Sequence, residues 1–153
     1  MSVRGDKANE LFLSGYNCTQ AVVGAFADVI GMDFDTAVRF SSGFGGGMGR
    51  LREVCGTFSG AVIVVNALYG YSDPKNVQAK TELYSRIQEL AAQFRRDNGS
   101  IICKELLGLS RPEGSPIPEA RTDEYYKKRP CPELCRYSAN MLEEYIREHP
   151  PVK

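Results

Sequence analysis

The chain has 153 residues, 42% of them hydrophobic and 25% charged, with a formal net charge of +0. That length suits one domain with a sizeable core, and the balanced charge carries no global footprint for nucleic acid, an anionic membrane or an acidic partner. No basic, apolar and small-residue leader opens the sequence, and the longest strongly apolar run, Ala61 to Leu68, is far too short to span a bilayer, so a cytoplasmic chain without membrane insertion is expected.

Taken in order, Ala8 to Leu13 reads as an opening helix stopped by Gly15. Asn17 is a good N-cap for a second helix, with Ala21, Val22, Ala25, Phe26, Val29 and Ile30 at helical spacing and Gly31 at its end. Asp33 and Asp35 offer caps to a short helix from Asp35 to Ser41. A glycine cluster follows: Gly45, Gly46, Gly47 and Gly49, then Arg50 and Arg52. Residues without a Cβ let the chain take positive φ and approach another backbone or a ligand. Cys55 stands at the head of a buried helix that contains the run Ala61 to Leu68. Asp73 as N-cap and Pro74 as first residue open a long amphipathic helix, Lys75 to Asp97, with Gly99 as its left-handed cap. Ile101 to Leu107 reads as one short helix containing Cys103. Ser110 to Pro130 is too proline-broken for regular structure and forms a long loop. Cys131 is expected as N-cap and Pro132 as first residue of a last helix that runs to about Glu148. There is no alternating strand pattern and no internal repeat. The expected class is all-α: one compact helical domain over residues 1–149 with about five main helices, a Gly-rich connection, a Pro-rich loop before the last helix, and a tail over 150–153.

The chemistry lies with the five cysteines, since a reducing cytosol disfavours a disulfide framework and leaves core, metal-ligand or redox roles. Cys18, Cys55 and Cys131 each fall at a predicted helix N-terminus, where about half a positive charge and unpaired N–H groups favour a thiolate. Cys103 taken alone reads as core. Cys131 and Cys135 share a helix face and could supply half of a metal site. His149 is the only histidine and sits in a terminal segment, so a Cys–His nucleophile is poorly supported. The glycine cluster is no dinucleotide fingerprint, because no strand precedes it and Arg50 occupies the third glycine position. Against a functional role stands a plain alternative: glycines that permit a close helix crossing, beside a buried inert cysteine.

The order of these segments resembles the small bacterial and archaeal family of redox-active proteins named for its Cys, Cys-Gly-Ala-x-x-Gly, Cys, Cys pattern. Tyr16-Asn17-Cys18-Thr19-Gln20-Ala21 is similar to the first cysteine segment, Phe44-Gly45-Gly46-Gly47-Met48-Gly49 to the glycine segment, and Cys55-Gly56-Thr57-Phe58-Ser59-Gly60-Ala61 to the central motif, with Thr57 in place of alanine. Cys103-Lys104-Glu105-Leu106-Leu107-Gly108 and Cys131-Pro132 resemble the third and fourth segments, and Cys135 is an extra cysteine. The resemblance implies a helical fold and four cysteines in redox or metal chemistry. It also hints at a functional link to a transporter, and it supplies no substrate.

Four functions compete. In a thiol-based oxidoreductase or electron-transfer protein, Cys18, Cys55, Cys103 and Cys131 would line one cavity. Cys55 would be the reactive thiolate beside Arg50 or Arg52, a second cysteine would resolve a disulfide, and a redox partner would be required. The same four residues could instead ligate zinc or an iron–sulfur cluster. Gly45, Gly46, Gly47, Gly49 and Arg50 could hold a phosphate, heme or flavin. The fourth reading is a helical structural domain. A homodimer is expected on general grounds, two-fold pairing being the commonest assembly.

Overall fold

The computed structural model describes residues 3–109 and 115–152. Among these residues the fold is all-α, with eight helices, no strand, and one isolated antiparallel bridge between Val54 and Ile102. The helices are α1 (Val3–Leu13), α2 (Cys18–Ala25), α3 (Phe34–Ser41), α4 (Gly56–Tyr69), α5 (Val77–Asn98), α6 (Cys103–Leu106), α7 (Asp123–Lys128) and α8 (Cys131–Glu148).

Helix α2 is the pivot, with Cys18, Thr19 and every residue from Ala21 to Ala25 buried. Helix α4 crosses it closely. A Cβ on Gly60 would sit 3.0 Å from Val22 Cβ, and one on Gly56 would sit 2.4 Å from Cys18 Sγ and 2.6 Å from Thr19 Oγ1. The crossing is pinned by Thr19 Oγ1, which donates to the Gly56 carbonyl at 2.9 Å. Helices α1 and α8 pack against α2 and each other, contributing Ala8, Phe12, Leu134, Cys135, Ala139 and Leu142 to the core. Helix α5 lies against α4 through Leu90 and Phe94, with the Phe94 ring edge-on to Phe58 at 5.7 Å and to Tyr137 at 5.5 Å. The plain alternative of a glycine-mediated helix crossing is therefore realised, and the crossing sets α4's first turn beside Cys18.

Several boundaries differ from the sequence expectation for local reasons. Helix α2 stops at Ala25 rather than near Ile30, because the Arg4 guanidinium takes the Ala25 carbonyl at 2.7 Å and pairs with Asp28. Helix α5 starts at Val77, capped by Asn76, whose side chain accepts from Ala79 N at 3.0 Å; Asp73 instead accepts from Lys75 N in the preceding turn. Residues 101–102 are extended rather than helical, because the Ile101 carbonyl accepts from Cys55 N at 2.7 Å. The proline-broken stretch holds a helix after all: Thr122 caps α7 by accepting from Tyr125 N. Residues 110–114 of that stretch lie outside the described residues. Pro130, not Cys131, is the N-cap of α8, which places Cys131 at its first helical position.

Candidate functional site

Each of four cysteines opens a different helix. Cys18 begins α2 behind a capping box, in which Asn17 Oδ1 accepts from Gln20 N at 2.9 Å and Gln20 Oε1 accepts from Asn17 N at 3.1 Å. Cys55 is the N-cap of α4, Cys103 begins α6, and Cys131 begins α8. Side chains on a helix tilt toward its N-terminus, so residues in a first turn project past the end of their helix. The four ends converge, and Cys18, Cys55, Cys103 and Cys131 line one cavity of about 70 Å³. Cys135 is fully buried one turn along α8, and its Sγ lies 3.8 Å from the Cys18 carbonyl. All five cysteines are free thiols.

Electrostatics depart from the sequence expectation at Cys55. Burial pushes its thiol up to about 12, the neighbouring Cys18 adds to the rise, and the Thr57 hydroxyl at 3.1 Å opposes it. Desolvation thus outweighs the helix end, and Cys55 is held as a thiol rather than an activated thiolate. Burial likewise raises Cys131 to about 12, with Cys18, Cys55 and Cys103 adding and Arg129 opposing. Cys135 is driven well above its ordinary value by burial. Cys103 is raised by burial too, but it has a cation in contact: Arg52 Nη1 stands 3.8 Å from its Sγ and, with Arg129, favours the thiolate. The arginine assistance expected at Cys55 therefore falls on Cys103.

The glycine cluster builds the mouth of this cavity. Gly46, Gly47, Met48, Gly49 and Arg50 have φ of 68°, 71°, 70°, 57° and 64°, and Arg52 has 62°. This left-handed turn costs roughly 1–2 kcal/mol at each residue bearing a Cβ, which makes Met48, Arg50 and Arg52 strained positions. It is held by Gly49 N to Gly43 O at 2.9 Å and Glu53 N to Gly47 O at 2.9 Å. A Cβ on Gly47 would meet Arg52 Cα and Cys103 Cβ, both at 2.7 Å, so the turn lies directly against the Cys103 wall.

Outside the cysteine cavity is a second, wider chamber of about 390 Å³. Gly45, Gly46, Gly49 and Arg50 line it, while Gly47 backs the Cys103 wall. The two spaces share Asn17, Gly46, Arg52, Arg121, Tyr125 and Arg129 as wall residues. Arg50 points away from Cys55; its Nη1 donates to the carbonyls of Ser115 (2.9 Å) and Ile117, and Nη2 lies 4.0 Å from Glu119. Arg129 pairs with the same Glu119. Arg121 donates to the Phe12 carbonyl at 2.8 Å and the Tyr16 carbonyl at 3.0 Å, and its guanidinium lies 4.1 Å from the Phe12 ring centroid. The sequence reading missed Arg121, Tyr125 and Arg129. Their i, i+4, i+8 spacing was the available signal, masked by the surrounding prolines. His149 lines neither space; it stacks on Tyr145 at 4.2 Å.

Four thiolates could hold either a single zinc ion or an iron–sulfur cluster. Among the described residues no group of three or more His, Cys, Asp or Glu side chains is arranged to hold a single metal ion such as zinc. No helix among the described residues is long and apolar enough to cross a membrane.

Residues 16–145 match the family model described as "Putative redox-active protein (C_GCAxxG_C_C)". The span runs from the residue before the Asn17 cap to Tyr145 in α8 and includes every cysteine. Neither the search of curated proteins nor that of solved structures finds a match.

Proposed function

The chain belongs to the family described as "Putative redox-active protein (C_GCAxxG_C_C)", and on that premise we propose that it is a thiol–disulfide oxidoreductase in which Cys103 is the attacking thiol and Cys18 resolves the mixed disulfide. The observation that carries this reading is the convergence of four helix-opening cysteines on one small cavity, with Arg52 in contact with the Cys103 sulfur. Cys103 takes the attacking role because Arg52 Nη1 lies 3.8 Å from its sulfur, which opposes the rise that burial imposes on the thiol. Cys18 takes the resolving role because it lines the same small cavity as Cys103, Cys55 and Cys131.

The step balances as an exchange with a substrate disulfide. The Cys103 thiolate attacks one substrate sulfur; the S–S bond breaks and one substrate thiolate leaves, taking the proton that Cys103 gave up. The Cys18 sulfur, on losing its own proton, then attacks the Cys103 sulfur of the mixed disulfide. A Cys18–Cys103 disulfide forms, and the second substrate thiolate leaves with that proton. The protein is oxidised by two electrons and the substrate reduced by two. Cys55 and Cys131, held as thiols by burial, are a second pair that the same cavity can draw on.

The reading needs a redox partner to return the electrons, and a reducing cytoplasm as its compartment. Homodimerisation and a link to a transporter are separate proposals, tested by mass in solution and by co-purification. The test of the main reading is a titration of the reduced protein against graded thiol–disulfide buffers. It is expected to lose two thiols per chain at one midpoint and regain them with reductant. A flat thiol count across the buffers would overturn the reading.

A further inference from the structure

The four thiols surround a narrow space, and its size limits what can reach them. Cys18 and Cys103 are each 8% exposed and Cys55 5%. The cavity they line holds about 70 Å³, where one water takes roughly 10–15 Å³, so it admits a handful of small groups. Phe12, Leu106, Leu107 and Leu134 supply its apolar wall. Among the described residues, Tyr125 carries the one aromatic ring that this cavity shares with the wider chamber outside it. The residue stands in the first turn of α7, where its N–H donates to the Thr122 hydroxyl at 3.2 Å. Its ring is flanked by the guanidinium groups of Arg121 and Arg129, each 5.3 Å from the ring centroid, and meets Tyr126 edge-on at 5.4 Å. Arg121 is itself fixed by the Phe12 and Tyr16 carbonyls, and Tyr126 lies edge-on to Phe12 at 6.4 Å. A ring clasped from several sides has little freedom to swing aside, so it stands as a fixed partition between chamber and cavity.

We infer that Tyr125 is the specificity-determining residue of the thiol site: its ring restricts the substrate to a disulfide with short substituents and shuts out the disulfides of folded proteins. This rests on the thiol–disulfide reading above, and the exchange step is the one given there. A disulfide within a protein brings two backbones with it, their Cα atoms about 4.4–6.8 Å apart, and those cannot follow the sulfur past the ring. A small disulfide brings only its sulfurs and a few carbons to Cys103.

The experiment compares methyl and benzyl methanethiosulfonate on the reduced protein at pH 7, following the Cys103 peptide by mass spectrometry. Both reagents are uncharged and both form a mixed disulfide with loss of methanesulfinate, so they differ in the bulk of the group delivered. Each rate is divided by the rate with free 2-mercaptoethanol, which removes intrinsic reactivity. The methyl reagent is expected to be favoured by about tenfold or more, the scale on which a tight apolar pocket rejects extra carbon atoms. Tyr125→Phe keeps the ring and should keep that preference. Tyr125→Leu and Tyr125→Ala should each shrink it, alanine the more. If Tyr125→Ala does not fold, Tyr125→Leu and the parent's own preference decide. A parent that shows no size preference, a preference unchanged in the leucine and alanine variants, or one lost in Tyr125→Phe would overturn the role given to Tyr125. The redox reading would then still stand on the reversible loss of two thiols in graded buffers. A Cys103 inert to both reagents in the parent and in every variant would overturn both.

Discussion

At Cys55 two effects of opposite sign meet on one sulfur. Burial favours the thiol, and the Thr57 hydroxyl at 3.1 Å favours the thiolate; burial wins, and the group is held up to about 12. Removing the hydroxyl removes the opposing contribution. Thr57→Ala, which restores the alanine common to the family motif, is expected to shift Cys55 ionisation to still higher pH. It should cost roughly 1 kcal/mol for the lost buried contact. Alkylation of Cys55 followed by mass spectrometry across alkaline pH checks the first point, and urea unfolding the second. The place of Cys55 at a helix start was legible in the sequence, because Gly56 and the apolar run after it announce the helix. Its ionisation was not legible. A helix end argues for a thiolate, whereas the depth of burial is set by α2, α6 and α8, which arrive from distant positions in the chain.

Among the elements, α2 and α4 cross with little tolerance. Gly56→Ala puts a methyl group 2.4 Å from Cys18 Sγ and 2.6 Å from Thr19 Oγ1, nearer than any real contact, so these side chains must shift. An overpacking cost of roughly 1–3 kcal/mol is expected. With it should come a slower Cys18–Cys103 exchange, since the displaced atom is the resolving sulfur. Asn17→Ala tests the other support of Cys18. Loss of the capping box and of the Asn17 Nδ2 bond to the Ser42 carbonyl (2.8 Å) should cost about 1 kcal/mol and leave the Cys103 alkylation rate unchanged. The caps at Asn17, Asp33 and Gly99 could be read directly, because each lies at the edge of a single hydrophobic pattern. The start of α5 could not: Asp73 and Asn76 are competing caps three residues apart, and the chain uses Asp73 for the turn before the helix. The left-handed turn at 46–50 was foreshadowed by its glycines. That Met48 and Arg50 share the conformation depends on the local backbone hydrogen bonds that close it, from Gly49 N to Gly43 O through Glu53 N to Gly47 O.

For the molecule as a whole, the buried thiols make stability depend on pH. Cys55 and Cys131 ionise near 12 when folded and near 9.0 when exposed. Below pH 9 both states hold these protons, and the contribution to stability is complete. As pH rises from about 9 to 12 the unfolded chain releases protons first, so stability falls through that window. The melting temperature is expected to drop over it, and Cys55→Ser should flatten the slope. A melting temperature independent of pH between 9 and 11 would contradict the burial argument. The global arrangement also explains what no single segment announced. The proline-rich strap is held by Arg50 and Arg121, with Arg129 pairing to it through Glu119, and it roofs the chamber that leads to the cysteines.

The central claim is that these cysteines are one chemical unit with Cys103 at its working end. It is tested most directly by alkylating the reduced, folded protein at pH 7 with a limiting reagent and following each cysteine-containing peptide over time. The account predicts that Cys103 labels first, that Cys55, Cys131 and Cys135 label slowly until the protein is unfolded, and that Arg52→Gln removes the Cys103 advantage. Five thiols reacting at one slow rate, or Cys55 reacting ahead of Cys103, would contradict it.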